Sequence, residues 1–168
     1  REGVEVVILG TAQDGGIPQA GCSCKNCTAA HENYKLKRNP VCCGIKGVDG
    51  SFHLIEAGRN LSEQLKLWSE KMNLENIEKP ETVSITHVHL GHVDGLGQFG
   101  KEVMNSKDLP LFASKKTIEV LENRNVVSAF RCNVVKSGRA FSPSDTCGFE
   151  LEFIKVPHRD EEADTHAI

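Results

Sequence analysis

Apolar residues recur along the chain in two rhythms. Short β-branched runs, closed by Gly, Pro, Asn or Asp, predict strands at Val4–Leu9, through Val83–Ile85, at Leu109–Ala113, at Asn133–Val135 and at Glu150–Val156. Cys42–Ile45 and Ser51–Gly58 read as an antiparallel pair turning at Gly47-Val48-Asp49-Gly50. His53 alternates with Phe52 and Leu54, so it faces away from them and is expected to be exposed or hydrogen-bonded rather than a ligand. The helical rhythm places Leu61, Leu65, Trp68 and Met72 on one face of Asn60–Met72, with Asn60 or Ser62 as the cap. Ile118 and Leu121 mark a second helix over Lys115–Asn123, and Phe99 and Val103 a third over Leu96–Met104. Cys27–Lys37 has helical character, ending in a solvated basic cluster of Lys35, Lys37 and Arg38. No repeat, low-complexity stretch or linker interrupts the pattern, which predicts one domain over residues 1–168.

Composition narrows the class. The 168 residues, 39% hydrophobic, suit a single soluble globular domain. The formal charge is −3, with no basic field to attract nucleic acid, so a nucleic-acid partner is not expected. The longest apolar runs fall far short of the ~20 residues that span a bilayer, so no membrane partner is expected either. No signal-peptide pattern is visible, although the chain begins with Arg1 rather than Met. Seven cysteines, three of them clustered, argue for thiols used as ligands rather than for a disulfide framework. That use fits a reducing compartment and a cytoplasmic location.

Two stretches carry candidate chemistry. In Ile85-Thr86-His87-Val88-His89-Leu90-Gly91-His92, three of the seven histidines fall within six residues at the end of a predicted strand. Extended backbone sends His87 and His89 to one face, within reach of one ion such as zinc, iron, nickel or copper. A helical turn after Leu90 would swing His92 toward the same cleft. His92 and Asp94 are the candidate catalytic residues, with Asp94 also read as an acid at a helix start, where the dipole favours it. In the loop at residues 20–31, Cys22, Cys24 and Cys27 place three sulfurs together, a soft donor set for structural zinc. His31, Cys42, Cys43 or a residue beyond the chain could close that site. Gly10–Pro18, with three glycines and a proline, reads equally as a plain connection or as a loop bordering an active site.

The histidine stretch resembles the His-x-His-x-Asp-His signature of the metallo-β-lactamase superfamily. Leu54-Ile55-Glu56-Ala57-Gly58 resembles its first motif, with Glu56 where an aspartate is usual. The opening Val7–Gln19 followed by Cys22, Cys24 and Cys27, together with Leu109–Ala113 and Val156–Arg159, looks like the coenzyme PQQ biosynthesis protein B branch. The cysteine cluster is similar to that of the cyclic phosphodiesterases of phosphonate breakdown. The resemblance implies an α/β (α+β) fold, a four-layer αββα sandwich. It implies that His87, His89 and His158 hold a first metal, zinc or iron, and that His92 belongs to a second. Glu56 would orient the loop by hydrogen bonds, and Asp160 and Asp164 would support the metal-bound histidines. His166 falls outside the site. The signature's aspartate position is Gly91, so one metal per chain is expected at the histidines.

The activity implied is metal-dependent hydrolysis of a small-molecule ester, phosphodiester or amide-like substrate. The alternatives are an iron-dependent oxygenase related to PQQ biosynthesis and a zinc-stabilised binding protein without catalysis. The resemblance further implies a domain that continues beyond Ile168. A sheet edge left open there would invite a homodimer or another chain.

Overall fold

The computed structural model describes residues 3–168. A six-stranded mixed sheet, in sequential order, forms its centre. Strands β1 (Glu5–Gly10), β2 (Cys42–Lys46) and β3 (Phe52–Ile55) pair antiparallel. From β3 onward, β4 (Thr82–Ser84), β5 (Leu109–Ala113) and β6 (Phe130–Val134) run parallel. The change of direction follows from the connections. A short turn suffices between β2 and β3, whereas each parallel pair needs a crossover, supplied here by helices.

Four α-helices are present among the described residues: α1 (Lys25–Glu32), α2 (Leu61–Lys71), α3 (Leu90–Val93) and α4 (Lys115–Asn123). On one face of the sheet, Leu9, Leu54, Val83 and Leu111 pack with Leu61, Leu65 and Trp68 of α2 and Ile118 and Leu121 of α4. Removing such side chains from water, at roughly 25 cal/mol per Å² of apolar area, is the main attraction between helices and sheet. Trp68 lies across β2, where a Cβ on Gly44 would stand 2.6 Å from the indole Cδ2. Only a residue without a side chain lets the indole approach the strand so closely.

The opposite face carries a smaller cluster of Ile45, Ile55 and Leu151, extended by Cys43, Phe141 and Phe149. Two short ladders build that layer, β7 (Ala140–Phe141) with β8 (Leu151–Glu152), and β9 (Ile154–Lys155) with β10 (His166–Ala167). All four residues of β3 are buried because both faces of that strand are covered. His53 is therefore inside, accommodated by hydrogen bonds to Ser51 Oγ (2.6 Å) and Thr82 Oγ1 (2.7 Å). Farther along the same face, Val6 and Ile8 of β1 remain exposed.

Several expectations are corrected. Leu96–Met104 is not a helix; a single 3-10 turn covers Leu96–Phe99, and Val103 is exposed. Two glycines in that stretch, Gly97 and Gly100, weaken helix propagation. Glu150–Val156 is not one strand. It divides at Phe153 between two ladders, with Phe153 itself turned into the interior. Asn60 precedes α2 as expected, but its side chain bonds Asn39 rather than capping the helix.

The packing of Trp68 on Gly44 yields a test. Gly44→Ala should destabilise the protein by ~1–3 kcal/mol through overpacking. Because Trp68 is the sole tryptophan, its fluorescence reports the displacement directly. A red-shifted emission and a lower urea midpoint are expected, and an unchanged spectrum would contradict the packing described.

Candidate metal centre

The histidines gather at the carboxyl ends of the parallel strands, where open α/β sheets present their loops to ligands. The chain leaves β4 as extended backbone through Thr86 and His87, then turns into α3 after His89. His158 arrives from the loop after β9. One ring nitrogen from each of His87, His89 and His158 lies within 4.8 Å of the other two. His89 Nδ1 and His158 Nε2 are 3.1 Å apart. Ring nitrogens gathered this closely are near enough to share one ion, and that donor set fits zinc, iron or another divalent transition ion. His87 is buried, and burial, with His89 and His158 as neighbours, pushes its pKa down to about 4. It is therefore neutral and able to donate a lone pair at neutral pH.

A buried carboxylate orders this centre from below. Glu56 follows β3 with φ +70, a left-handed conformation rare outside glycine, asparagine and aspartate. The turn sends its carboxylate between the strands. Oε1 accepts the Thr86 N–H at 2.7 Å, and Oε2 accepts the Thr86 hydroxyl at 3.0 Å. The same hydroxyl lies 2.9 Å from His87 Nδ1. Glu56 Oε2 also meets His92 Nδ1, which fixes that ring with Nε2 pointing outward. A carboxylate behind a histidine is a common support for a metal ligand, since it sets the tautomer and the ring orientation. Burial lowers the His92 pKa, against an opposing pull from Asp14.

Glycines allow this assembly. A Cβ on Gly95 would strike the Gly58 carbonyl, and one on Gly58 would sit 2.5 Å from the Gly91 carbonyl oxygen. Backbone thus packs on backbone where α3 meets the segment after β3, joined by Ala57 N–H to His92 O and Gly95 N–H to Ala57 O. The loop after β1 closes one side of the cleft, with Thr11 to Asp14 and Val41 facing the histidines and Arg159 at the rim. That loop borders the site, one of its two expected readings.

Other candidates are placed differently. Asp94 is not a helix-start acid, because it follows the last residue of α3 and its carboxylate pairs with Arg59 at 3.0 Å. It does not join the histidine cluster. Asp164 accepts from Ser114 Oγ at 2.5 Å and lies 3.9 Å from His166, while Asp160 is exposed. The support expected from those two aspartates comes instead from Thr86 and Glu56. His166 is buried beside Thr86, bonding the Thr86 carbonyl through Nδ1 at 3.3 Å. Sequence reasoning passed over Thr86, although its place at the strand end, directly ahead of His87, was a local signal. Asp14 was passed over as well, and only its glycine-rich setting hinted at it.

The cysteine cluster forms separately. Cys24 precedes α1 and Cys27 lies in its first turn, so the helix start folds both sulfurs toward Cys22. All three sulfurs lie within 4.8 Å of one another. The Gln19 N–H donates to Cys27 Sγ at 3.3 Å. Backbone N–H of Cys27, then the thiol of Cys22, lowers the Cys24 pKa to about 7, which favours the thiolate that zinc binds. Cys42 and Cys43 are not gathered there; Cys42 instead donates to the Glu56 carbonyl from inside the core. His31 is exposed and also outside the trio.

Comparison with known proteins bears on the fold. No family model matches the chain. A coenzyme PQQ synthesis protein B from Rhodopseudomonas palustris is 34% identical over 62 residues, 37% of this chain and 20% of that protein. Zn(2+)-bound PqqB from Methylobacterium extorquens superposes with a TM-score of 0.76 at 19% identity, over 96% of this chain and 58% of that one. A diphosphatase of the PhnP family superposes with a TM-score of 0.67 at 22% identity, over 97% and 60%. The chain thus spans less than two thirds of these proteins. With a Bacillus subtilis metallo-β-lactamase-fold protein also similar, the architecture is the metallo-β-lactamase fold.

Two measurements test the centre. Cys24→Ser should lower bound zinc by one equivalent per chain and lower the melting temperature, as loss of a structural metal does. Unchanged metal content would remove the cysteine site. The second concerns pH in the metal-free protein. Burial holds the pKa values of His53, His87 and His92 below the ordinary 6.5. Unfolding exposes them, so below pH 6.5 the unfolded chain binds more protons than the folded one. Their contribution to stability is complete above that pH and declines as pH falls, and the part due to His87 levels off near pH 4. Urea midpoints should fall between about pH 7 and about pH 4.5, and His53→Gln should shallow the slope. An equal slope in wild type and variant would contradict the burial of His53.

Proposed function

We propose that this chain carries the metal-binding face of a hydrolase acting on a small-molecule ester, phosphodiester or amide-like bond. The observation that carries the reading is the convergence of His87, His89 and His158 at an open cleft. A divalent cation held there, zinc on this reading, would lower the pKa of a water ligand toward neutrality and polarise a substrate oxygen.

The chain's own residues supply binding and orientation. His87 is kept neutral by burial and positioned by the Thr86 hydroxyl. Glu56 fixes His92 at the floor of the cleft. Arg159, the one arginine or lysine among the described residues lining the cleft, can meet an anionic substrate group. That favours a phosphodiester within the proposed class, and a fold neighbour being a diphosphatase supports it. The Zn(2+)-bound neighbour supports zinc over iron. Seven free thiols suit a reducing compartment, so a cytoplasmic location belongs to the proposal.

Zinc-loaded protein should hydrolyse a chromogenic phosphodiester or ester, and His89→Ala should lower kcat/KM by ~100-fold or more while the circular dichroism is retained. Oxygen uptake by iron-loaded protein without hydrolysis would replace this reading with an oxygenase. Metal binding without turnover of either kind would leave a binding protein.

A further inference from the structure

A second cavity adjoins the histidine cleft and differs from it in character. It is a groove of about 540 Å³ whose apolar lining is Val88, Leu90, Val93, Leu121 and Val126. Val88 follows β4, and Leu90 and Val93 stand three residues apart on α3, so they share a face. Leu121 belongs to α4, and Val126 follows that helix. Val88, Val93 and Leu121 are buried and form a fixed apolar floor, whereas Leu90 is 54% exposed. The groove falls within the ~300–1,000 Å³ typical of small-molecule sites.

The charges around this groove are already paired. Arg124 Nη2 donates to Glu162 Oε2 at 2.8 Å, and its Nη1 donates to the Val88 carbonyl at 3.4 Å. Asp94 accepts from Arg59 at 3.0 Å. The groove therefore suits an uncharged, apolar guest, because an ion there would find its counter-charge taken. The histidine cleft offers the opposite, with Arg159 at its rim. His89 lines both cavities, so a group held at the histidines and a group in the groove border the same imidazole. Two parts of one molecule can fill the two.

We propose that the groove is a subsite for an apolar substituent of the substrate, an alkyl chain or aryl ring, whose anionic hydrolysable group lies at the histidines. This rests on the hydrolase reading of the cleft. Leu90 is the specificity-determining residue, because it is the apolar side chain of the lining that a guest would remove most from water. Burying a methylene completely favours binding by about fourfold, so a groove open to solvent should give about twofold per carbon.

The probes are methyl-, butyl- and hexylphosphonate, which carry an anionic head and a graded tail and are not hydrolysed. Their dissociation constants for zinc-loaded protein would be measured by calorimetry, and turnover of a chromogenic phosphodiester and ester measured alongside. Hexylphosphonate should bind the wild type about 30-fold more tightly than methylphosphonate. In Leu90→Gln that ratio should fall to about threefold, and Leu90→Met should restore it. The ratio is insensitive to any change in head-group binding, which moves all three constants together. A ratio near one in the wild type, or one unchanged in Leu90→Gln, would overturn the subsite while turnover leaves the hydrolase reading standing. A wild-type dimer that Leu90→Gln dissociates would assign the groove to a second copy and overturn it as well. A chain-length dependence without turnover would bring down the hydrolase reading and the substrate assignment with it.

Discussion

The centre depends on a carboxylate placed where carboxylates are seldom found. Glu56 is almost fully buried, and an ionised group there costs several kcal/mol unless its oxygens are matched by donors. Thr86 N–H, the Thr86 hydroxyl and His92 Nδ1 surround it. Each of these belongs to the chain segment that carries the histidines. Satisfying one buried charge therefore fixes the end of β4, the first turn of α3 and the His92 ring together. The left-handed turn at Glu56 is tolerated for the same reason, since a relaxed backbone would withdraw the carboxylate from all three partners.

Close backbone approach is the second requirement, and it explains why the motif is rich in glycine. Gly58, Gly91 and Gly95 each sit where a side chain would meet main-chain atoms of another segment. At Gly91 the neighbouring segment is the loop after β1, and a side chain there would collide with Asp14. Position 14 and position 91 share one volume, and one carboxylate fits in it.

Local sequence features were legible where local physics decides the outcome. The α4 helix lies over Lys115–Asn123 as its spacing predicts, and His87, His89 and His158 converge as the motif resemblance implies. The metallo-β-lactamase fold followed from the same motifs. What could not be read was set by contacts between distant segments. Phe153 divides an alternating run because two different ladders compete for its neighbours. Asp94 and Asp164 lie near the motif residues in sequence, but Arg59 and Ser114 draw their carboxylates away. Asp14 carries no periodic signal, and nothing within its own loop shows that it will reach Gly91.

The loop that delivers Asp14 is held at both ends. Near its start, Thr11 and Ala12 donate to the Asn39 carbonyl, and Ala12 bridges to Pro40. Near its end, Ile17 pairs with Arg38, and Gln19 N–H donates to Cys27 Sγ. Asp14 lies between these anchors in a stretch too poor in apolar residues to pack itself. Restraining both ends of a short loop removes conformations it would otherwise sample, so less entropy is lost when a side chain within it is ordered. Through Cys27 the cysteine loop holds Gln19 at one end of this stretch, and with Gly91 lacking a side chain Asp14 lies against α3 and beside His92.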